Sequence, residues 1–191
     1  MNGTKDTLPR PLWIFGYASL LWNPGFSVAE EKHGVLQGFH RSFCMSSIHH
    51  RGSVEEPGLV LALDAQDGSS CEGVLLRVPD EGFDDVVAAL RERELISSAY
   101  VEHLLPVKIA DGSEIIALAY VIDPDHEQYV AHLTLEEQAQ IIAHAIGGRG
   151  PNSEYLWNTV AKLHELNVET KCGIASENGS RTNKTTQPMY K

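Results

Sequence analysis

Several short apolar runs in this chain are separated by breaks too brief for a parallel crossover. Residues 12–17 read LWIFGY, apolar at successive positions and suited to a buried strand. Residues 35–43 are strand-like, Pro57-Gly58 turns the chain, 59–63 is wholly apolar, and Asp67-Gly68 separates it from 74–78. Later, strands at about 101–109 and 115–122 flank a hairpin at Asp111-Gly112. Parallel neighbours need a connection of about a dozen residues or more, so the short breaks at 64–73 and 110–114 predict antiparallel pairing.

Three helices complete the pattern. Phe83, Val86, Val87 and Leu90 recur at i, i+3, i+4 and i+7, with Asp80 placed as N-cap. Thr134 and Glu137 form a capping box ahead of a stripe of Leu135, Ala139, Ile142 and Ile146, with Gly147 suited to the C′ position. A Gly-rich link, 147–151, leads to a last helix at about 153–166. Mostly strands, one inserted helix and two closing helices predict an α+β fold: a small, mostly antiparallel β-barrel or curved sheet flanked by helices. The folded unit is expected over 11–170, with a flexible 1–10 segment and a polar, flexible tail over 171–191.

Charge narrows the partners. Fifteen basic against 26 acidic side chains give a net charge of −11 over 191 residues. Nucleic-acid and anionic-membrane binders draw affinity from neutralising phosphates, so neither class is expected. No apolar run approaches the roughly 20 residues that span a bilayer, and 1–10 is polar. Cys44, Cys71 and Cys172 are odd in number and lack a CxxC pair, which disfavours a disulfide framework or a zinc cage. The three sequons, at Asn2, Asn178 and Asn183, are read as chance matches. These features predict a cytoplasmic protein with no metal or cofactor.

Glu94 is the most informative position. An α-helix advances about 100° per residue, so Glu94 lies about 20° from Phe83, at the centre of the apolar stripe. A core-facing carboxyl has its charged form penalised by desolvation, which suits a general acid/base near neutral pH. The competing reading ends the helix near Arg91, with Glu94 turned outward or paired with Arg93. Directly after the first strand, Tyr17-Ala18-Ser19-Leu20 can present successive backbone N–H groups to an anion. Gly16 to Leu20 is also a near miss to the G-x-S-x-G nucleophile elbow, lacking its final glycine and its helix. A polar turn is the plainer reading. Arg51, in the 46–52 segment SSIHHRG, can clamp a carboxylate, or belong to a solvated turn. His49 and His50 are adjacent, a poor metal spacing. Tyr155 is either a core anchor or a substrate contact.

Four blocks together resemble the ChaC-like γ-glutamylcyclotransferases. FGYASLLW at 15–22 resembles that family's FGYGSLIW signature, and His50-Arg51-Gly52 with Glu56-Pro57-Gly58 its HRG and PG segment. Arg93-Glu94-Leu95-Ile96 with Tyr100 resembles its RE…Y block, and 147–156, ending Asn152-Ser153-Glu154-Tyr155-Leu156, its terminal block. The resemblance covers about 12–168. It implies a glutathione-degrading enzyme in which Glu94 is the catalytic acid/base and Tyr17, Ala18, Ser19 and Leu20 form the substrate loop. The implied reaction closes the γ-glutamyl unit to 5-oxoproline and releases cysteinylglycine. Ala18 stands where the family usually has glycine, so substrate choice or rate is expected to differ. Two other readings stay open: a non-catalytic protein that binds γ-glutamyl compounds or regulates a partner, and a Ser19-dependent hydrolase. Oligomeric state is not read from the sequence.

Overall fold

The structure, a computed structural model, describes residues 8–168. The sequons, Cys172, the 171–191 tail and most of the 1–10 segment lie outside the described residues. Five strands close a barrel: β1 (Trp13–Gly16), β2 (Glu30–Ser47), β3 (Gly58–Arg77), β4 (Tyr100–Lys108) and β5 (Glu114–Ile122). Their order is β1-β3-β2-β4-β5, and the parallel pair Ile14↔Leu118 returns β5 to β1. The other ladders are antiparallel apart from a single β3–β5 pair, Leu63↔Val121. Helices α1 (Phe83–Glu94), α2 (Leu135–His144) and α3 (Asn152–Glu165) flank the barrel. The fold is α+β, as the turn spacing predicts.

The first strand shows why its sequence is apolar throughout. Trp13 and Phe15 point into one core cluster with Leu36, Leu63 and Leu75. Leu12 and Ile14 point into another with Val74, Leu118 and α1's Phe83, Val87 and Leu90. Side chains alternate sides along a strand, so a strand buried on both faces carries no polar alternation.

Four expectations need correction. The runs at 59–63 and 74–78 belong to one strand, β3. Gln37 faces Ser70 but Phe39 faces Ala65, so 66–69 bulge out opposite Gly38. Gly38 and Gly68 both adopt positive φ, at +81° and +76°, which lets the strands continue past the bulge. The residue capping α1 is Gly82, in the left-handed region, while Asp80 sits 3.7 Å from Arg77. On α2, Ile142 is buried and Ile141 packs against the barrel core, with Ala145 buried just past the helix end, while Ala139 of the expected stripe is exposed. Leu135 projects at the helix's exposed start, and Ile146 lies beyond its end, where helical phasing no longer applies. Finally, Gly147 is no C′ residue: β6 (Ile146–Gly147) pairs with β7 (Gly150–Pro151). A Cβ on Gly147 would stand 2.4 Å from Gly52 N, so glycine is required there for close backbone approach. The Thr134–Glu137 capping box is present.

Candidate active site

The barrel delivers its first strand into a turn of 3-10 helix, Ser19–Leu21, whose first backbone bond runs from Leu21 N–H to Ala18 O (2.9 Å). The amides of Ser19 and Leu20 precede that bond and so lie at the turn's open end. Tyr17 is fixed from both sides. Its hydroxyl donates to Tyr120 O at 2.8 Å, and its carbonyl accepts from Arg41 Nε. Ala18 has φ −137°, outside the region that demands glycine, and its methyl is buried against the core. The substitution therefore carries no left-handed backbone penalty.

Helix α1 brings its last residue to this turn. Leu95 N–H bonds Arg91 O, so the helix runs through Glu94, whose side chain is 14% exposed. Arg93 ties the pieces together. Its Nη2 donates to Ser19 Oγ (2.8 Å), Nη1 donates to Asn23 O (2.7 Å), and Nε lies 3.0 Å from Glu94 Oε1. That last contact is misaligned: Glu94 Oε1 is sealed from solvent and accepts no hydrogen bond. The two readings of Glu94 thus merge, because it is inward and beside Arg93.

From the other side, α3 is pinned to β3. Asn152 exchanges bonds with Leu59 through Oδ1 (2.6 Å) and Nδ2 (2.9 Å). Tyr155 OH accepts from Leu61 N–H at 3.1 Å, while its ring meets Trp22 edge-on at 6.3 Å. A cavity of about 90 Å³ lies between these elements, and Tyr17, Ala18, Ser19, Leu20, Glu94 and Tyr155 line it. Arg51 lines it too, but its Nη1 is already engaged by Pro151 O (3.0 Å) and by Glu154 Oε1 (3.5 Å). Tyr155 is both anchor and wall.

Sequence and structure comparisons bear on this constellation. The family model described as ChaC-like protein matches residues 12–175. This chain belongs to the ChaC-like family. It is 35% identical over 159 residues to the glutathione-specific gamma-glutamylcyclotransferase of Escherichia coli K12, covering 83% of this chain and 68% of that one. It is 34% identical over 155 residues to the human glutathione-specific gamma-glutamylcyclotransferase 1, covering 80% and 69%. Among solved structures, a yeast gamma-glutamyl cyclotransferase specific to glutathione shares the fold, with TM-score 0.75 at 23% identity, over 83% of this chain and 89% of that one.

The ChaC-like cavity holds more than the sequence singled out. His50, Arg149, Tyr100 and Tyr120 line it along with Arg93. His50, Arg93 and Tyr100 stand in the blocks that resemble the family; Tyr120 and Arg149, the latter from the Gly-rich link, had no such signal of their own. Burial pushes the Glu94 carboxyl up from its ordinary range, while the Arg93 and Arg149 charges pull the other way. Burial and nearby Arg149 push the His50 imidazole down. Desolvation holds the Tyr17 and Tyr100 phenols far above their usual range, so both stay neutral donors. Among the described residues no three metal-ligating side chains converge, and no helix is long and apolar enough to cross a membrane.

Proposed function

We propose that this ChaC-like protein cyclises the γ-glutamyl unit of glutathione to 5-oxoproline and releases cysteinylglycine. One observation carries the reading. Glu94 lines a small cavity beside the turn that follows β1, and its Oε1 is sealed from solvent without a hydrogen bond. Such an atom costs stability, and a group held at that cost is a functional candidate. Relatives at about 35% identity bearing the name glutathione-specific gamma-glutamylcyclotransferase support the substrate.

The reaction carries two protons from the substrate's α-nitrogen to the leaving nitrogen and needs no external nucleophile. Glu94 takes a proton from the substrate's α-ammonium, and the freed amine attacks its own γ-carbonyl carbon. A five-membered ring closes as that C–N bond forms. The resulting oxyanion lies within reach of the Ser19 and Leu20 amides. Protonated Glu94 gives its proton to the cysteinyl nitrogen as the old amide bond breaks. The ring nitrogen, which still carries two hydrogens after attack, gives its second proton to the regenerated carboxylate, and that proton leaves with the product amine as its ammonium. Holding amine and carbonyl in a folded pose supplies up to about 7–11 kcal/mol in favourable intramolecular cases. A positioned base adds roughly 10²–10⁴-fold. The tension at Glu94 suits both halves: burial raises its proton affinity, and the arginines keep its carboxylate accessible.

The test is direct. Purified protein incubated with glutathione is expected to yield equimolar 5-oxoproline and cysteinylglycine by mass spectrometry, and Glu94→Gln is expected to yield neither. Turnover by the folded Glu94→Gln protein would reject the role given to the acid. The hydrolase reading has little to support it, since Ser19 Oγ is held by a guanidinium, which cannot act as its base. The purely binding reading draws on Ala18 in place of the family's glycine and on the family's transport-regulator name, and the Ala18 backbone is free of left-handed strain.

A further inference from the structure

A second cavity of about 550 Å³ adjoins the first: Trp22, Asn23, Arg51, Arg93 and Arg149 line both. Pro24, Gly25 and Phe26 of the loop after the first turn, and Val86, Ala89 and Leu90 of α1, form other walls. The three shared arginines differ in what they are free to do. Arg93 is committed to Asn23, Ser19 and Glu94. Arg51 is buried and faces Pro151 and Glu154. The side chain of Arg149 makes no hydrogen bond or ion pair with any described residue.

Its backbone, by contrast, is held firmly. Arg149 N–H donates to His50 O (2.9 Å), Gly148 N–H donates to His49 O (3.0 Å), and Gly147 packs against Gly52 N. A fixed main chain therefore presents an unspent guanidinium at the junction of two cavities. The one acidic side chain lining the larger cavity, Glu154, is turned toward Arg51. In a chain with net charge −11, such a local excess of arginine marks a place for an anion.

Resting on the function proposed above, we propose that Arg149 determines specificity by binding the C-terminal carboxylate of a γ-glutamyl peptide in the second cavity. The glutamyl unit occupies the smaller cavity beside Glu94. The cysteinylglycine portion then extends roughly 7 Å for its two residues, toward the second cavity, which shares five lining residues with the first. Guanidinium and carboxylate match as a planar bidentate pair. A γ-glutamylamine lacks that carboxylate and forgoes the contact, so the site favours peptides over amines.

The test measures binding without turnover. Glutathione and its C-terminal amide are titrated calorimetrically into Glu94→Gln, with and without Arg149→Gln in addition. Arg149→Gln is expected to weaken glutathione about tenfold, within the range for a charge-assisted contact, and to leave the amide within about twofold. Arg149→Lys is expected to recover part of the loss. Unchanged affinity for the amide doubles as the control for folding. Equal weakening of both ligands, no weakening of glutathione, or no binding of either overturns the assignment. Because the titration involves no chemistry, the two readings fail separately. Absent 5-oxoproline from the parent protein with charge-dependent binding intact strikes the proposed reaction, whereas turnover with charge-independent binding strikes only the role of Arg149.

Discussion

Helix α1 carries two arginines two positions apart, and each meets a glutamate in a different way. Arg91 reaches across to Glu102 on β4 through three short contacts, Nε at 2.9 and 3.1 Å and Nη2 at 2.6 Å. Arg93 faces its neighbour Glu94 at 3.0 Å without a hydrogen bond, and both side chains are nearly buried. The first pair is complete and half in water, with Arg91 41% exposed. The second is incomplete and dry. A satisfied ion pair offers little to a substrate, because its acceptors are spent; an unsatisfied buried carboxyl keeps a lone pair ready for a proton. Two positions on one helix thus separate a satisfied, half-wet contact from an unsatisfied, dry one.

Replacing Glu94 should break the comparison most severely. Glu94→Gln is expected to lower kcat by at least about 10²–10⁴-fold, assayed as 5-oxoproline formation. It should not lower the melting temperature. The folded-state carboxyl sits above its ordinary value, so the native protein gains stability from Glu94 only where that group is protonated. That contribution is lost as pH rises from the usual glutamate range through the folded value. A neutral amide removes this pH dependence. A melting temperature for Glu94→Gln well below that of the parent at pH 7 would refute the desolvation argument.

Arg93 comes next. Arg93→Gln removes the cation nearest Glu94 and frees Ser19 and Asn23 from their donor. A loss of roughly 10- to 100-fold in kcat/KM is expected from the disordered turn, the scale of a small misplacement. The acid limb of the pH profile should also move upward, since the arginine charge opposes the effect of burial. A limb that stays fixed would show that another group controls it. Ser19→Ala is milder. It deletes one acceptor of Arg93 and no nucleophile, so activity should stay within about tenfold, the worth of one charged hydrogen bond. Complete inactivity with a trapped acyl-enzyme in the parent would revive the hydrolase.

How much of this was legible depends on the range of the interaction. Glu94 could be found by helical phasing because its stripe partners, Phe83, Val87 and Leu90, lie within eleven residues of it, and they are buried in the structure. The hairpin at Asp111-Gly112 and the Thr134 cap were equally local. What failed was long-range. The bulge opposite Gly38 exists only because β2 pairs with β3, so the 66–69 segment looks like a turn when read by itself. Gly147 looks like a helix cap until the loop bearing His49 and His50 is laid against it. The partnership of Arg93 with Ser19 spans 74 residues and has no periodicity to announce it. Arg149 is the extreme case, because its side chain makes no hydrogen bond or ion pair with any described residue and acts on Glu94 and His50 through its charge alone.

The complete pair supplies the smallest effect and the sharpest control. Glu102→Gln leaves Arg91 without its anion, at a site where Arg91 is 41% and Glu102 21% exposed. Ion pairs this wet contribute about 0.2–1 kcal/mol, so a small fall in melting temperature is expected, larger at low salt than at high salt because exposed charges are screened. Activity should remain within about twofold, since neither side chain lines the cavity beside Glu94. Tyr120 couples the two regions, for its hydroxyl lies 3.4 Å from Glu102 Oε1 while its backbone carbonyl accepts from Tyr17. If Glu102→Gln instead cut kcat as deeply as Arg93→Gln, the strain would have to pass along β5 through Tyr120. The two arginine–glutamate pairs would then be one network rather than a structural contact and a chemical one.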